Sequence, residues 1–298
     1  MKKAFIIYNF AKKRNYFLRN LDNLLLELEK LEYETLVYAT KGPQDCIKKL
    51  ASIEYHDLIV CAGGDGTINE VVNGIANWKV KPKVLYFPIG TINDFAASLK
   101  IKKSISYGIN MLKNDQCVEV DTGIVNGKLF NYIVASGHFV ASSYETTNQQ
   151  KTLFGRFAYF LTGIKDLGSI NKFYNVEITL DDNEVIKDSF RLIFITNTKS
   201  MAGVRKMFPE NKMNDGKFHL LLFTKKRTLI KLLRAPRIIL WGVHKYVNSD
   251  DVIYREFSSL KLKSLDEPNW SLDGERGPVG DLNVEILEKN LKIFGTIE

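Results

Sequence analysis

Gly63-Gly64-Asp65-Gly66-Thr67-Ile68-Asn69-Glu70 follows directly on the apolar run Leu58-Ile59-Val60-Cys61-Ala62. This junction decides the fold. A short β-branched run closed by glycines reads as a buried strand turning into a helix. Ligands of open α/β sheets sit where strands end. Residues without side chains let backbone N–H groups approach a phosphate, and the helix N-terminus adds its positive dipole end. Gly63, Gly64, Gly66 and Thr67 therefore form a candidate phosphate loop, with Asp65 placed to hold Mg²⁺ or orient a nucleotide. Asp-Gly alone would read as a tight turn. The three glycines around it at this junction favour the phosphate loop, although the sequence has neither a Walker pattern nor GxGxxG.

Outward from that junction, residues 1–121 alternate short strand candidates with amphipathic helices, the mark of parallel βαβ units. The strands are expected at Lys3 to Tyr8, Tyr33 to Thr40, Asp57 to Ala62 and Lys83 to Phe87. Leucines 21, 24, 25, 28 and 31 give Asn20 to Leu31 one apolar helical face. The expected fold class here is α/β, a doubly wound and mostly parallel sheet. Beyond Asp121 come strand candidates at Phe173 to Leu180, Phe190 to Thr196, Phe218 to Phe223 and Leu282 to Leu287. Helical stretches at Leu153 to Leu167 and Thr228 to Val243 interrupt them. Residues 122–288 thus read as a mainly antiparallel β domain with inserted helices, and the tail, about 289–298, as a return to the first domain.

The chain has 298 residues, 45% hydrophobic and 26% charged, enough apolar material for two cores. Its formal charge of +8 points to an anionic partner without choosing one. Three separated cysteines, Cys46, Cys61 and Cys117, fit no metal spacing and no disulfide framework. They suit a reducing cytoplasm. The opening run is too short for a signal peptide, and no stretch approaches the roughly 18 apolar residues of a spanning helix. A soluble or peripheral protein is expected. The four histidines have no ligand spacing, and the scattered basic residues accompany no nucleic-acid motif.

A second junction, Pro88-Ile89-Gly90-Thr91-Ile92-Asn93-Asp94-Phe95-Ala96, places Asn93 and Asp94 beside the first loop. Asn93-Asp94 also reads as a helix N-cap. Together with GGDGTINEVVNG at 63–74, this stretch resembles the catalytic domain of diacylglycerol kinases and bacterial lipid kinases. The resemblance continues in family order through Asp121 in VDTG, NYIVASG at 131–137, Asp215-Gly216, and Asp273-Gly274-Glu275 in SLDGE.

The resemblance implies two domains, ATP in the cleft between them, and a lipid hydroxyl, of diacylglycerol or a similar lipid, as phosphoryl acceptor. It assigns nucleotide contacts to Asn9, Thr40, Gly63, Gly64, Asp65, Gly66, Thr67, Glu70, Gly90, Thr91, Asn93 and Asp94. Glu275 becomes the general base, with Asp273 beside it and Asp65 on a catalytic Mg²⁺. Asp121 supports the charge network, and Asp215 helps bind a structural Mg²⁺. On residues alone, Asp215-Gly216 is a hairpin turn before a strand, and Glu275 an exposed loop carboxylate. Phosphoryl transfer needs alignment and charge neutralisation more than covalent chemistry, which suits a carboxylate base and phosphate-binding loops.

Three departures from the family pattern stand out: Phe10 where proline is usual, Ile92 where glycine is usual, and Ala97 in place of a common arginine. They motivate a non-catalytic nucleotide- or lipid-binding homologue as one alternative. An NAD kinase-like enzyme is the other, since Gly-Gly-Asp-Gly occurs there too. A lipid acceptor requires peripheral contact with an anionic membrane at its inner face. Thr228 to Val243 offers leucines on one side and Lys231, Arg234 and Arg237 on the other, interrupted by Pro236. No nucleic-acid partner is expected, and the reading leaves room for a homodimer.

Overall fold

The structure, a computed structural model, describes residues 1–9, 16–136, 173–200, 212–224 and 252–297. The helices expected at 153–167 and 228–243 lie outside these residues, as do Phe10, Lys231, Arg234 and Pro236. The chain divides into two compact units, Met1–Thr122 with Glu288–Glu298, and Gly123–Leu287.

The first unit is built on four parallel strands, β1 (Lys2–Asn9), β2 (Tyr33–Thr40), β3 (Leu58–Gly63) and β4 (Lys83–Pro88), in the order β2-β1-β3-β4. The register runs Asn9 opposite Thr40, Tyr8 opposite Ala62 and Gly63 opposite Pro88, so the carboxyl ends finish along one edge. Among the described residues six helices accompany them: α1 (Tyr16–Arg19), α2 (Leu21–Lys30), α3 (Asp45–Ala51), α4 (Asp65–Gly74), α5 (Asp94–Ser98) and α6 (Ile105–Lys113). β5 (Cys117–Val125) and the last strand, β15 (Leu282–Phe294), close the unit. β15 lies parallel to β4 through Lys292 and Ile293.

Alternation along the strands sends residues to two faces, and helices cover both. Ala4, Ile6, Leu58, Val60, Ala62, Leu85 and Phe87 pack with Phe17, Leu24, Leu28, Ile105 and Ile109 from α1, α2 and α6 and the residues around them. On the other face Phe5 stacks with Tyr38, whose hydroxyl donates to Asp45 of α3. Burying a leucine such as Leu24 or Leu28 contributes about 1.5–3 kcal/mol, so Leu28→Ala would detach α2 at a cost of about 2–5 kcal/mol. The sheet is doubly wound and parallel, as the sequence pattern predicts.

The second unit contains β6 (Lys128–Phe130), β7 (Ile133–Ser136), β8 (Tyr174–Leu180), β9 (Glu184–Thr196), β10 (Phe218–Thr224), β11 (Val252–Phe257), β12 (Ser259–Ser264), β13 (Asn269–Leu272) and β14 (Glu275–Val279). Its strands pair antiparallel. Val176, Ile178 and Leu180 face a core with Ile193, Ile195, Phe218, Leu220 and Leu222, every second residue of each strand. β9 runs longer than its apolar segment predicts. Its first half, with Lys187 and Asp188, is polar on an exposed flank yet pairs fully with β8, while its second half pairs with β7 and β10. β15 likewise continues past Leu287: it bends at Lys289, whose φ is left-handed at 51° and whose N–H is received by Asp121, and then pairs with β4 through Lys292 and Ile293.

Candidate active-site loops

In the first unit the strand order reverses between β1 and β3, and in such sheets the ligand crevice lies outside the carboxyl ends at that point. α4 starts there. Its N-cap, Gly64, is extended (φ −99°, ψ −170°) and brings no side-chain acceptor to the first turn. A helix that begins this way presents N–H donors and a positive dipole end to an anion.

The glycines serve close packing between neighbouring segments of the chain first. A Cβ on Gly63 would lie 2.3 Å from Thr67, and one on Gly90 would lie 2.5 Å from the Gly64 Cα and 2.7 Å from Asn93 Oδ1. The two loops therefore touch backbone to backbone. The Gly63 carbonyl reinforces this by accepting from Ile89 N (2.8 Å), Gly90 N (3.2 Å) and the Tyr86 hydroxyl (3.3 Å).

Asp65 completes the join. Its Oδ2 accepts from Asp94 N (3.3 Å) and its Oδ1 from Phe95 N (3.2 Å), so this carboxylate caps α5 from the neighbouring loop. Asn93 is not the side-chain N-cap that its position suggested. It sits in the left-handed region (φ 58°, ψ 50°), its Nδ2 donates to Gly90 O (2.9 Å), and its Oδ1 is buried with no hydrogen-bond partner. Asparagine tolerates this conformation better than most residues. Ile92, where the family has glycine, is not among the residues with positive φ, so the departure there causes no strain. Thr91 and Gly90 are half-buried in the same turn.

Glu70 faces the opposite way from Asp65. Only 8% exposed, it accepts from Gln44 N (Oε1, 3.0 Å) and Cys46 N (Oε2, 3.3 Å) at the start of α3. Burial pushes its carboxyl above the usual range, against the pull of those two amides. Burial likewise raises the thiols of Cys46 and Cys61, and that of Cys117 to about 11, which favours the neutral thiol over the thiolate. Asn9 and Thr40 end β1 and β2 side by side. Asp121 is fully buried and receives Lys289 N (2.7 Å), fastening β15 to β5.

In the second unit the SLDGE segment is a hairpin. Asp273 (φ 51°) and Gly274 (φ 87°) are both left-handed, the geometry of a type I′ turn, with Leu272 opposite Glu275. The Asp273 carboxylate accepts three backbone N–H groups, from Asn131 (2.6 Å), Tyr132 (3.0 Å) and Ile133 (2.9 Å). Its N–H in turn donates to Ile133 O. Glu275 stands exposed as the first residue of β14. Asp273 thus supports the turn that presents Glu275.

Asp215 is exposed and its Oδ1 accepts from Lys217 N (3.2 Å), closing the turn that leads into β10. Among the described residues no group of three or more His, Cys, Asp or Glu side chains could hold a metal ion. Sequence reasoning gave no role to Asn131, whose side-chain N and O are both buried without a partner beside the Asp273 turn. Its residue type and position before β7 carry no signal of that.

The chain matches a model described as diacylglycerol kinase catalytic domain over residues 3–125. Residues 133–295 match one described as YegS C-terminal NAD kinase beta sandwich-like domain. It is 33% identical over 296 residues to a diacylglycerol kinase of Staphylococcus carnosus, covering 98% of this chain and 95% of that one. A diacylglycerol kinase of Staphylococcus epidermidis is 36% identical over 296 residues, covering 98% and 92%. Among solved structures, a diacylglycerol kinase from Bacillus anthracis aligns with a TM-score of 0.78 at 20% identity, over 99% of this chain and 97% of that chain. An NAD kinase from Archaeoglobus fulgidus in complex with ATP aligns at 0.55 and 12%, over 99% and 94%. At these identities the two solved structures bear on the fold alone.

Proposed function

The chain belongs to the diacylglycerol kinase family and is a phosphotransferase, and from that premise we propose that it moves the γ-phosphate of ATP to the hydroxyl of diacylglycerol or a related membrane lipid. The observation that supports this reading most is the start of α4. A glycine-capped helix opens at the carboxyl edge of the parallel sheet, welded to the loop after β4. The ATP phosphates would lie on its first-turn N–H groups. The unpaired Asn93 Oδ1 offers a buried acceptor beside them for a donor of the nucleotide or an ordered water.

Magnesium fits this arrangement only as an ion arriving with the nucleotide, since Mg²⁺ is commonly held by one or two carboxylates plus substrate phosphates. Asp65 would be its protein ligand. Its carboxylate stands at the start of α4, against the first turn of α5, where it receives Asp94 N and Phe95 N. The ion would supply charge neutralisation. Glu275 would take the proton of the acceptor hydroxyl as its oxygen attacks the γ-phosphorus, and ADP would leave.

An acceptor panel tests the reading. Incubated with γ-labelled ATP, magnesium, extracted lipids and NAD, the protein is expected to label a lipid band, and chelation by EDTA to stop the transfer. Label appearing in NADP, or in neither acceptor, would replace this function with that of an NAD kinase or of a non-catalytic homologue.

A further inference from the structure

α4 carries two carboxylates that point in opposite directions, and each receives the start of another helix. Asp65 caps α5 and Glu70 caps α3. α3 has seven residues, too few to persist unaided, and its N-cap residue, Gln44, is left-handed (φ 61°) with no side-chain cap of its own. The segment between β2 and α3 is held at two points. Asp45 accepts from Lys41 N (2.7 Å) and from the Tyr38 hydroxyl, and Glu70 holds Gln44 N and Cys46 N from α4.

This segment leaves β2 at Thr40, on the same sheet edge as Asn9 and two strands from α4. Two strand spacings are about 10 Å, the order of distance between the phosphates of a nucleotide and its base. A buried carboxylate is costly where an apolar side chain would pack, and desolvation here does raise its pKa. Its two amide bonds define what it accomplishes: they fix the 41–45 loop to the helix whose start meets the phosphates.

We propose that Glu70 is a positioning residue for ATP, acting through the Lys41–Asp45 loop rather than by touching the nucleotide. This rests on the reading of the α4 start as the phosphate site. Without the two acceptor bonds, the loop and the phosphate-binding turn would no longer be held in one arrangement, so nucleotide affinity falls while the chemical step is unaffected.

The test compares wild type, Glu70→Ala and Glu70→Gln in steady-state kinetics, ATP calorimetry and amide hydrogen exchange. Glu70→Ala is expected to raise the ATP KM and Kd about tenfold, the effect of about 1.4 kcal/mol, with kcat and the lipid KM within twofold. Glu70→Gln keeps one carbonyl acceptor and should fall between the two. Exchange should quicken over residues 42–51 and stay unchanged over 94–98. If Glu70→Ala does not fold, the glutamine variant decides alone, with an ATP KM raised at unchanged kcat. An ATP KM within twofold of wild type in the folded variants, or a fall in kcat at unchanged KM, would overturn the proposal. A wild-type protein that binds no ATP would overturn the phosphate-site reading itself, a result separable from either.

Discussion

Three backbone amides converge on Asp273, while Glu275, two residues later, stands exposed at the start of β14. Neutral replacements should therefore separate two roles. Asp273→Asn turns an amide group toward at least one N–H donor and leaves it unpaired, at a cost of about 1–3 kcal/mol, so the thermal transition should drop and activity fall with it. Glu275→Gln is a near-isosteric change at an exposed residue. Its transition should match wild type while kcat falls roughly 10²- to 10⁴-fold with little change in lipid KM. Equal thermal loss in both variants, or unchanged kcat in Glu275→Gln when chemistry is rate-limiting, would refute this division. In the sequence, Asp273-Gly274-Glu275 stands out through the family resemblance and Glu275 reads as an exposed loop carboxylate; the type I′ turn, with its two left-handed residues, is what the structure adds. The sequence could not show what the Asp273 carboxylate receives. That depends on Asn131 to Ile133, about 140 residues earlier, which β7 brings beside β13.

The two βα loops of the first unit behave as one element, and the contact between Gly64 and Gly90 is where they can be pried apart. A methyl at Gly90 overlaps the Gly64 backbone, which cannot rotate away as a flexible side chain would. Gly90→Ala is expected to cost about 1–3 kcal/mol of stability, typical of overpacking, and to weaken ATP binding by shifting the start of α4. Gly42→Ala serves as the control. A Cβ there meets nothing within 4 Å, so the same change should be neutral or raise stability by up to about 1 kcal/mol. Matching thermal shifts in the two variants, or a wild-type ATP affinity in Gly90→Ala, would dissolve the claim that the loops share one platform. The strand-to-helix junctions were readable from Leu58 to Glu70 and Pro88 to Ala96, since buried β-branched runs ending in glycine leave few alternatives. The partners of Asp65 and Glu70 were not. Each carboxylate caps a helix other than its own, and no spacing within α4 predicts which.

Each unit has its own core, so stability of the whole molecule is read unit by unit, and His219 gives the second unit a pH signature. It lies on β10, 1% exposed, with Nδ1 2.6 Å from the Tyr254 hydroxyl and Nε2 unpaired. Desolvation holds its pKa down at about 4; Asp215 pulls upward, Lys217 pushes down, and Glu256 stands 4.0 Å away. The unfolded chain restores an ordinary histidine near 6.5. Between those values the unfolded state binds the proton and the folded state does not, so stability is complete above about 6.5 and declines as pH falls toward 4. The full loss is about 3 kcal/mol. Glu70 works in the other direction, because its raised pKa makes folding take up a proton as pH falls, so the net curve of the whole chain is shallower than His219 alone would give. A difference measurement removes that background. His219→Asn keeps a polar atom near the position of Nδ1 but cannot titrate, and its unfolding free energy should depend less on pH than wild type between pH 4 and 6.5, the gap narrowing by about 3 kcal/mol as acid is added. Curves that stay parallel across this range would mean that His219 is protonated within the fold and that the burial of its ring does not set the acid sensitivity of the second unit.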